Sequence, residues 1–290
     1  MKSRIVIFII FLMIIPVISC KQEKKSSDMN IIFLHHSTGR VIWNGGTAPS
    51  GITHFAGRIS TRLESFLNTK AQLRLLFKEY NKEQDKNYSI KEKIFPKPAP
   101  YGWNNFPYDY YNIWVKNAGE EPFMEEPTLE MLTKDYQVII FKHCFPVSNI
   151  QADPDSADIN SDYKSISNYK LQYSTLRDKL HEFQDTKFIL FTGAAQVRSL
   201  ITEDEAKRAK EFFGWVTDQW DLPGDNIFLW DLYILQTEGG LYFKDEYAVS
   251  PDDSHPNDDF ASKVVKLLFN RIIDVIENNG TGTQLTGEEI

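Results

Sequence analysis

Two short segments of the chain, one near each end, carry side chains suited to nucleophilic attack on a carbonyl. The first, residues 35–39 (HHSTG), places the Ser37 hydroxyl directly after an apolar run. The second, residues 251–257 (PDDSHPN), places Asp252 three residues ahead of His255. Histidine is the usual general base near neutral pH, and a carboxylate beside it fixes its tautomer and stabilises its protonated form. Ser37, activated by such a pair, could therefore serve as the nucleophile of a covalent mechanism.

Both segments also have a purely structural interpretation. Serine and glycine are ordinary turn residues, and residues 35–39 lack the Gly-x-Ser-x-Gly of a nucleophile elbow because His35 occupies the position of the first glycine. Asp, Ser, Asn and Pro are equally typical of a surface turn that leads into a helix. The sequence leaves both interpretations of residues 251–257 open.

The elements that must position these residues follow an alternation of strands and helices. Apolar runs predict buried strands over residues 29–34, 137–141, 187–191 and 226–230. Helical spacing predicts helices over 166–183, from a capping box at 202–205, and after Asn257 to about residue 278. This alternation indicates a single α/β domain with a mainly parallel sheet, spanning about residues 29–278. Ser37 then lies at the carboxyl end of the first strand, the edge at which open α/β sheets bind ligands.

Together, the two segments resemble the SGNH (GDSL-type) hydrolase family. Its members carry a nucleophilic serine after an early strand and an Asp-x-x-His-Pro motif before the last helix, which here is Asp252-x-x-His255-Pro256. The resemblance extends over nearly the whole mature domain and implies a three-layer α/β/α sandwich of flavodoxin-like topology. It implies a serine esterase with Ser37 as nucleophile, His255 as base and Asp252 as orienting acid, without a metal ion or organic cofactor. Asp253 breaks the family's spacing and is the less favoured acid.

The chain departs from the family's pattern in two places. The family's Gly-Asp-Ser is replaced by the histidines and serine of residues 35–37, and no Gly-x-Asn-Asp follows residues 137–141. The family completes its oxyanion hole with a glycine N–H and an asparagine side chain. Candidates for the asparagine's role are Asn149, Lys142 and His143, and candidates for the glycine's role are Gly45, Gly46 and Gly102.

Two further features bear on the substrate. Residues 81–127 lack clear periodicity and predict an ordered insertion, in which seven of the fourteen residues 101–114 are aromatic. These rings could stack on sugars, which favours an acyl ester of a carbohydrate such as an acetylated glycan, or they could form a satellite core. Arg198, after the third predicted strand, could contact an anionic or hydroxylated substrate or could face solvent. A non-catalytic glycan-binding protein and an acyltransferase remain alternatives to an esterase.

The first twenty residues indicate a targeting signal. Lys2 and Arg4 precede an apolar run over residues 5–15, which is too short for a comfortable membrane span but suits a secretory signal. The signal ends at Cys20 in a motif that resembles the lipobox of bacterial lipoproteins. The resemblance implies a signal peptide over residues 1–19, a lipid anchor on Cys20, a polar tether over residues 20–28, and a place in the cell envelope outside the cytoplasm.

Composition excludes other classes of protein. The 290 residues include 32 Lys+Arg and 40 Asp+Glu, and the resulting net charge of −8 argues against a nucleic-acid partner. The two cysteines, Cys20 and Cys144, are too few for a disulfide framework. Residues 279–290, rich in Thr, Gly and Glu, predict a disordered tail. The partners that the two resemblances imply are an ester substrate and a membrane reached through the lipid on Cys20.

Overall fold

A five-stranded parallel sheet forms the centre of the domain. The computed structural model describes residues 28–46 and 71–290. The strands of this sheet are β1 (Asp28–His35), β2 (Asn87–Ile94), β3 (Val138–Phe141), β4 (Lys187–Phe191) and β5 (Ile227–Trp230). They are arranged in the order β2-β1-β3-β4-β5, with every neighbouring pair parallel. This is the order of flavodoxin-like doubly wound folds, so the predicted α/β class is confirmed.

Helices and one short hairpin complete the described part of the chain. The helices are α1 (Ser37–Asn44), α2 (Gln72–Gln84), α3 (Pro107–Tyr110), α4 (Leu129–Asp135), α5 (Ile166–Leu180), α6 (Glu203–Trp215), α7 (Leu232–Thr237) and α8 (Asp258–Asn278). π-Helical turns extend α3 over Tyr111–Lys116 and α6 over Val216–Trp220, and short 3-10 turns cover Phe145–Ser148 and Arg198–Leu200. The antiparallel hairpin of β6 (Ala248–Ser250) and β7 (Asp253–Pro256) directly precedes α8.

The helices form a layer on each face of the sheet. Phe33 packs against Trp43 of α1, whereas Phe141 packs against Tyr110 and Trp114. Phe141 is the register partner of Leu34, and successive residues of a strand point to opposite faces. The α1 side, where α2 and α8 also pack, is therefore opposite the side covered by α3 and α5.

The sequence predicted four of the five strands, including β5 at one edge of the sheet, and missed β2 at the other edge. The predicted runs correspond to β1, β3, β4 and β5 within one or two residues at each end. The capping box of α6 is present between Thr202 and Glu205, and the Asn257 side chain caps α8. β2 was expected to be part of the insertion. It buries only Tyr88 and Ile90, and most of its other residues are polar or charged. Charged residues are typical of a sheet edge, where they oppose pairing with another chain.

The aromatic segment is ordered, as expected, and belongs to the main core. Tyr110 and Trp114 are fully buried, and Trp103 is 8% exposed. They join the same hydrophobic cluster as the sheet. Tyr101, by contrast, is 43% exposed. Most of these rings therefore stabilise the domain and are not available to stack on a sugar.

Residues 279–290 were predicted to be disordered but are folded against the domain. The Trp230 indole donates to the Thr286 carbonyl at 2.9 Å. The Thr283 hydroxyl donates to the Asp274 carboxylate at 2.7 Å. A composition typical of disorder is thus overridden by partners on β5 and α8 that are distant in sequence.

Several predictions for the amino-terminal region fall outside the described residues. The signal peptide at 1–19, the lipidated Cys20 and the tether up to residue 27 all precede Asp28, where the description begins. Within residues 28–46 and 71–290, no helix is both long and apolar enough to cross a membrane.

Candidate functional site

Ser37 is the first residue of α1 and lies at the carboxyl end of β1. Its side chain is exposed, and its Oγ atom lies 3.4 Å from the Sγ atom of Cys144. The first N–H groups of a helix have no acceptor within the helix. The backbone N–H of Ser37 therefore has no acceptor within α1.

The two histidines before Ser37 anchor this turn to the end of β2. The buried His35 ring donates from Nε2 to Glu92 at 2.7 Å, and the His36 ring donates from Nε2 to the Pro96 carbonyl. Burial lowers the pKa of His36 to about 4; the hydrogen bond to Pro96 opposes this shift, and the charge on Lys142 adds to it. His36 is therefore neutral at neutral pH. No group of three or more His, Cys, Asp or Glu side chains in the described ranges is arranged to hold a metal ion.

His255 lies on β7 and pairs with Asp253. Its Nδ1 donates to Asp253 Oδ1 at 2.6 Å, and its backbone N–H donates to the same oxygen at 2.9 Å. Burial raises the pKa of Asp253, but these two hydrogen bonds outweigh burial and hold the pKa below its usual value. With Nδ1 protonated, the neutral ring keeps a lone pair on Nε2, which has no hydrogen-bond partner among the described residues.

The carboxylate on the imidazole is therefore not that of Asp252, the residue assigned from the sequence. Asp252 instead accepts a hydrogen bond from the Ser250 hydroxyl at 2.5 Å. The family's spacing suggested Asp252, but here residue 253 begins strand β7, and position 255 lies two residues further on the same strand. Residues two apart on a strand share a face, which places Asp253 beside the ring.

A short segment after β3 connects the serine to the histidine. Cys144 contacts Ser37, and the next residue, Phe145, packs edge-on against the His255 ring with centroids 5.5 Å apart. Helix α1 also packs against β7. Ser37 and His255 thus border the same edge of the sheet, although no hydrogen bond between them is present in the part of the chain that the structure describes.

Two of the candidate glycines are excluded as oxyanion donors by their own hydrogen bonds. The N–H of Gly102 donates to the Pro98 carbonyl, and the N–H of Gly45 closes the carboxyl end of α1 by donating to Val41 and Ile42. A third candidate, Gly46, lies against the backbone of Asp258.

His143 is excluded by its position in the sheet. It is fully buried, and its ring packs against Tyr110 and Tyr173 on the face opposite α1. Burial, with a contribution from the charge on Lys142, lowers the pKa of His143 to about 3, so the ring is neutral. Alternation along the chain explains the placement, since Cys144 points to one face and His143 to the other.

The roles that the sequence proposed for Asn149 and Arg198 stay predictions. Asn149 ends the 3-10 turn after Cys144 and is half-buried, and its side-chain amide makes no hydrogen bond to another described residue. Arg198 is exposed and lies over the Tyr242 ring at 5.6 Å. The neighbouring Ser199 donates to the Pro251 carbonyl at 2.6 Å, which joins the loop of Arg198 to the His255 turn.

Sequence reasoning missed two groups in this region. Cys144 was given no part in the site, yet its Sγ contacts Ser37, and the side chain is buried, with 8% exposed. Glu92 was not considered because β2 was not predicted. The alternation of side chains after β3 could have indicated that residues 142 and 144 share a face near Ser37; no sequence signal connects Glu92 to His35.

Comparisons with known proteins leave the family open. No family of proteins matches the chain, and no curated protein is similar to it. One solved structure aligns with 84% of this chain and 68% of its own, at 14% sequence identity and a TM-score of 0.38. It is that of a carbohydrate esterase whose active site is described as displaying divergent catalytic and non-catalytic binding functions. Similarity at this level carries no conclusion about activity or substrate, which must be argued from the side chains themselves.

Proposed function

We propose that this protein is a serine hydrolase that cleaves carboxylic esters. The observation that carries the proposal is the state of His255, whose Nδ1 is held by Asp253 at 2.6 Å while its Nε2 is left as an acceptor beside the segment that contacts Ser37. In this proposal Ser37 is the nucleophile, His255 the general base and Asp253 the acid that orients it.

The chemistry follows from those roles. Ser37 Oγ attacks the ester carbonyl while His255 Nε2 takes its proton, and the negative charge passes to the carbonyl oxygen. The protonated ring then gives that proton to the departing alcohol, which leaves an acyl group on Ser37. Water, deprotonated by the same nitrogen, releases the acid and restores the serine. The cycle requires the Ser37 hydroxyl to turn from Cys144 towards His255, and such contacts are often loose before substrate binds.

We further propose the finer assignments that the sequence indicated. These are an SGNH-type enzyme, lipid-anchored through Cys20 outside the cytoplasm, with acyl esters of carbohydrates as substrates. Arg198 over Tyr242 supports a polar substrate, because a guanidinium at the rim can donate several hydrogen bonds to hydroxyl or carboxylate groups.

The experiment uses the full chain, purified in mild detergent, with Ser37→Ala as its matched variant. Hydrolysis of 4-nitrophenyl acetate and release of acetate from acetylated xylan are measured for both proteins. We expect activity in the wild type and none above background in the variant. Equal rates in the two proteins would reject the proposal.

A non-catalytic glycan-binding function is the second candidate. It is favoured by one observation, namely that the Ser37 hydroxyl contacts Cys144 and not His255. In that case, both proteins would be inert on every ester and would bind xylan equally. Transfer of the acetyl group to an added sugar acceptor, with loss in Ser37→Ala, would instead identify an acyltransferase.

A further inference from the structure

A lysine without an ionic partner is buried beneath the helix that begins at Ser37. Lys142 is 0% exposed, and its Nζ atom has no hydrogen-bond partner among residues 28–46 and 71–290. Buried charges are ordinarily paired, because an ammonium group loses its hydration when it leaves water. The site therefore lacks the negative charge that would complete it.

The sheet register places Lys142 next to the nucleophile turn. It directly follows Phe141, which pairs with Leu34, so Lys142 lies beside His35 at the carboxyl edge. A Cβ atom added to Gly39 would lie 3.0 Å from Lys142 Cδ. The lysine stem therefore passes under the first turn of α1. Two residues further on, Cys144 lies on the same face and contacts Ser37.

The charged neighbours of Lys142 offer no fixed counter-ion. On β1 and β2, His35 and Glu92 are paired with each other. The His36 and His143 rings are both shifted towards their neutral forms, in part by the charge on Lys142. Burial lowers the pKa of Lys142, and the interaction that opposes this shift in the described chain is with the Cys144 thiol and not with a carboxylate. No carboxylate thus competes for the ammonium group.

We propose that Lys142 is a positioning residue whose buried positive charge stabilises the negative charge that forms on Ser37 and on the tetrahedral intermediate. This inference rests on the proposed function and adds to it an electrostatic group outside the Ser-His-Asp set. Because the counter-charge appears only during reaction, the interaction is stronger in the transition state than in the resting protein, which is the condition for accelerating a reaction.

The test compares Lys142→Met with wild type and with Lys134→Met, a change at an exposed lysine, using the full chain in detergent. For 4-nitrophenyl acetate we expect kcat to fall about 10²–10³-fold in Lys142→Met, as for the loss of one oxyanion donor, with KM nearly unchanged. We expect the melting temperature to stay equal or to rise, since an unpaired buried charge has been removed. Lys134→Met should match the wild type in both measurements.

The pH profile separates this role from a structural one. The ammonium is lost as pH rises through the lowered pKa of Lys142, so wild-type kcat should decline on the alkaline side below the range of an ordinary lysine. Lys142→Met should lack that decline. Labelling of wild-type Ser37 by a fluorophosphonate, which forms a serine–phosphorus bond and releases fluoride, should decline over the same range and requires no variant.

Two results would overturn the inference. The first is a Lys142→Met variant whose kcat is within threefold of wild type and shows the same alkaline decline. The second is a Lys142→Met variant that loses both stability and activity, while fluorophosphonate labelling of the wild type keeps rising with pH. Ser37→Ala keeps the two proposals apart. If that variant retains activity, the proposed function fails; if it is inert and Lys142→Met is normal, only the role of Lys142 fails.

Discussion

Two of the three histidine–carboxylate pairs among the described residues have similar distances and opposite surroundings. His35 lies 2.7 Å from Glu92, with side chains 0% and 7% exposed, and His255 lies 2.6 Å from Asp253, with side chains 26% and 43% exposed. The second nitrogen of His35 faces the His36 carbonyl at 3.1 Å. The second nitrogen of His255 has no hydrogen-bond partner within the described residues. The two pairs therefore have nearly the same length and differ in the surroundings of the second ring nitrogen, which is the difference on which the proposed role of His255 rests.

The comparison also shows how a histidine lowers the pKa of a neighbouring carboxylate. Burial raises the pKa of Glu92, but hydrogen bonding to His35 and its charge outweigh burial and lower it. Asp253 follows the same balance with His255. Each carboxylate is thereby kept ionised. Glu92 holds a strand end, and Asp253 holds the ring of His255, the base of the proposed mechanism.

The largest effect is expected from removing the free nitrogen. His255→Ala should lower kcat for 4-nitrophenyl acetate by about 10⁴-fold or more, because no other group here takes the serine proton. His35→Leu, measured at a temperature where it remains folded, should lose far less. Stopped-flow and steady-state assays of both variants make the check. Comparable losses of kcat in His255→Ala and His35→Leu would contradict the proposed difference between the two pairs.

The next effect distinguishes the two neighbouring carboxylates. Asp253→Asn should reduce kcat by about 10²–10⁴-fold, since the imidazole loses the group that orients it and stabilises its charge. Asp252→Asn is the matched control and should stay within a few-fold of wild type, because Asp252 contacts Ser250 instead. A larger loss in Asp252→Asn would restore the assignment made from the family's spacing.

A stability measurement examines the buried pair. His35→Leu leaves Glu92 buried without its partner, and the free energy of unfolding in urea at pH 7 should fall by about 3 kcal/mol. This is the lower end for a broken buried pair, because the charges of Arg40 and Arg74 also favour ionised Glu92. The double variant His35→Leu/Glu92→Leu should recover much of the loss. No recovery would mean that packing of the ring, and not its charge, is what matters.

The smallest effect concerns a carboxylate without a histidine. Burial, with repulsion from Asp225, raises the pKa of Asp221 to about 7. The unfolded chain ionises near pH 4, so stability falls as pH rises from there to about 7 and is level above it. Asp221→Asn should therefore raise stability by about 1–2 kcal/mol at pH 8, after allowance for partial exposure, and by little at pH 4. Urea unfolding at both pH values checks this; an equal gain at both would exclude titration as the cause.

Much of the fold could be predicted from the sequence, because the local residue pattern of most elements agrees with their position in the tertiary structure. The runs at β1, β3, β4 and β5 are apolar since these strands are buried on both faces, and caps at Thr202 and Asn257 begin helices where short-range hydrogen bonds require them. β2 and the carboxyl-terminal tail were not predicted, because their folded structure depends on contacts with residues distant in sequence. β2 buries only Tyr88 and Ile90, and the tail is rich in polar residues and glycine, so neither segment carries the long apolar run that identified the other strands.

The sequence by itself determined the parallel α/β core and the position of Ser37 at the carboxyl end of β1, because strand ends and helix starts follow from local hydrophobic periodicity and capping. Only the tertiary structure decided that Asp253 contacts the His255 imidazole and that the His143 ring lies on the face of the sheet opposite α1. It also decided that Lys142 is buried without a counter-ion. Those outcomes depend on strand register and on which face each side chain occupies. A shift of one residue reverses the face, and no local spacing rule reports it.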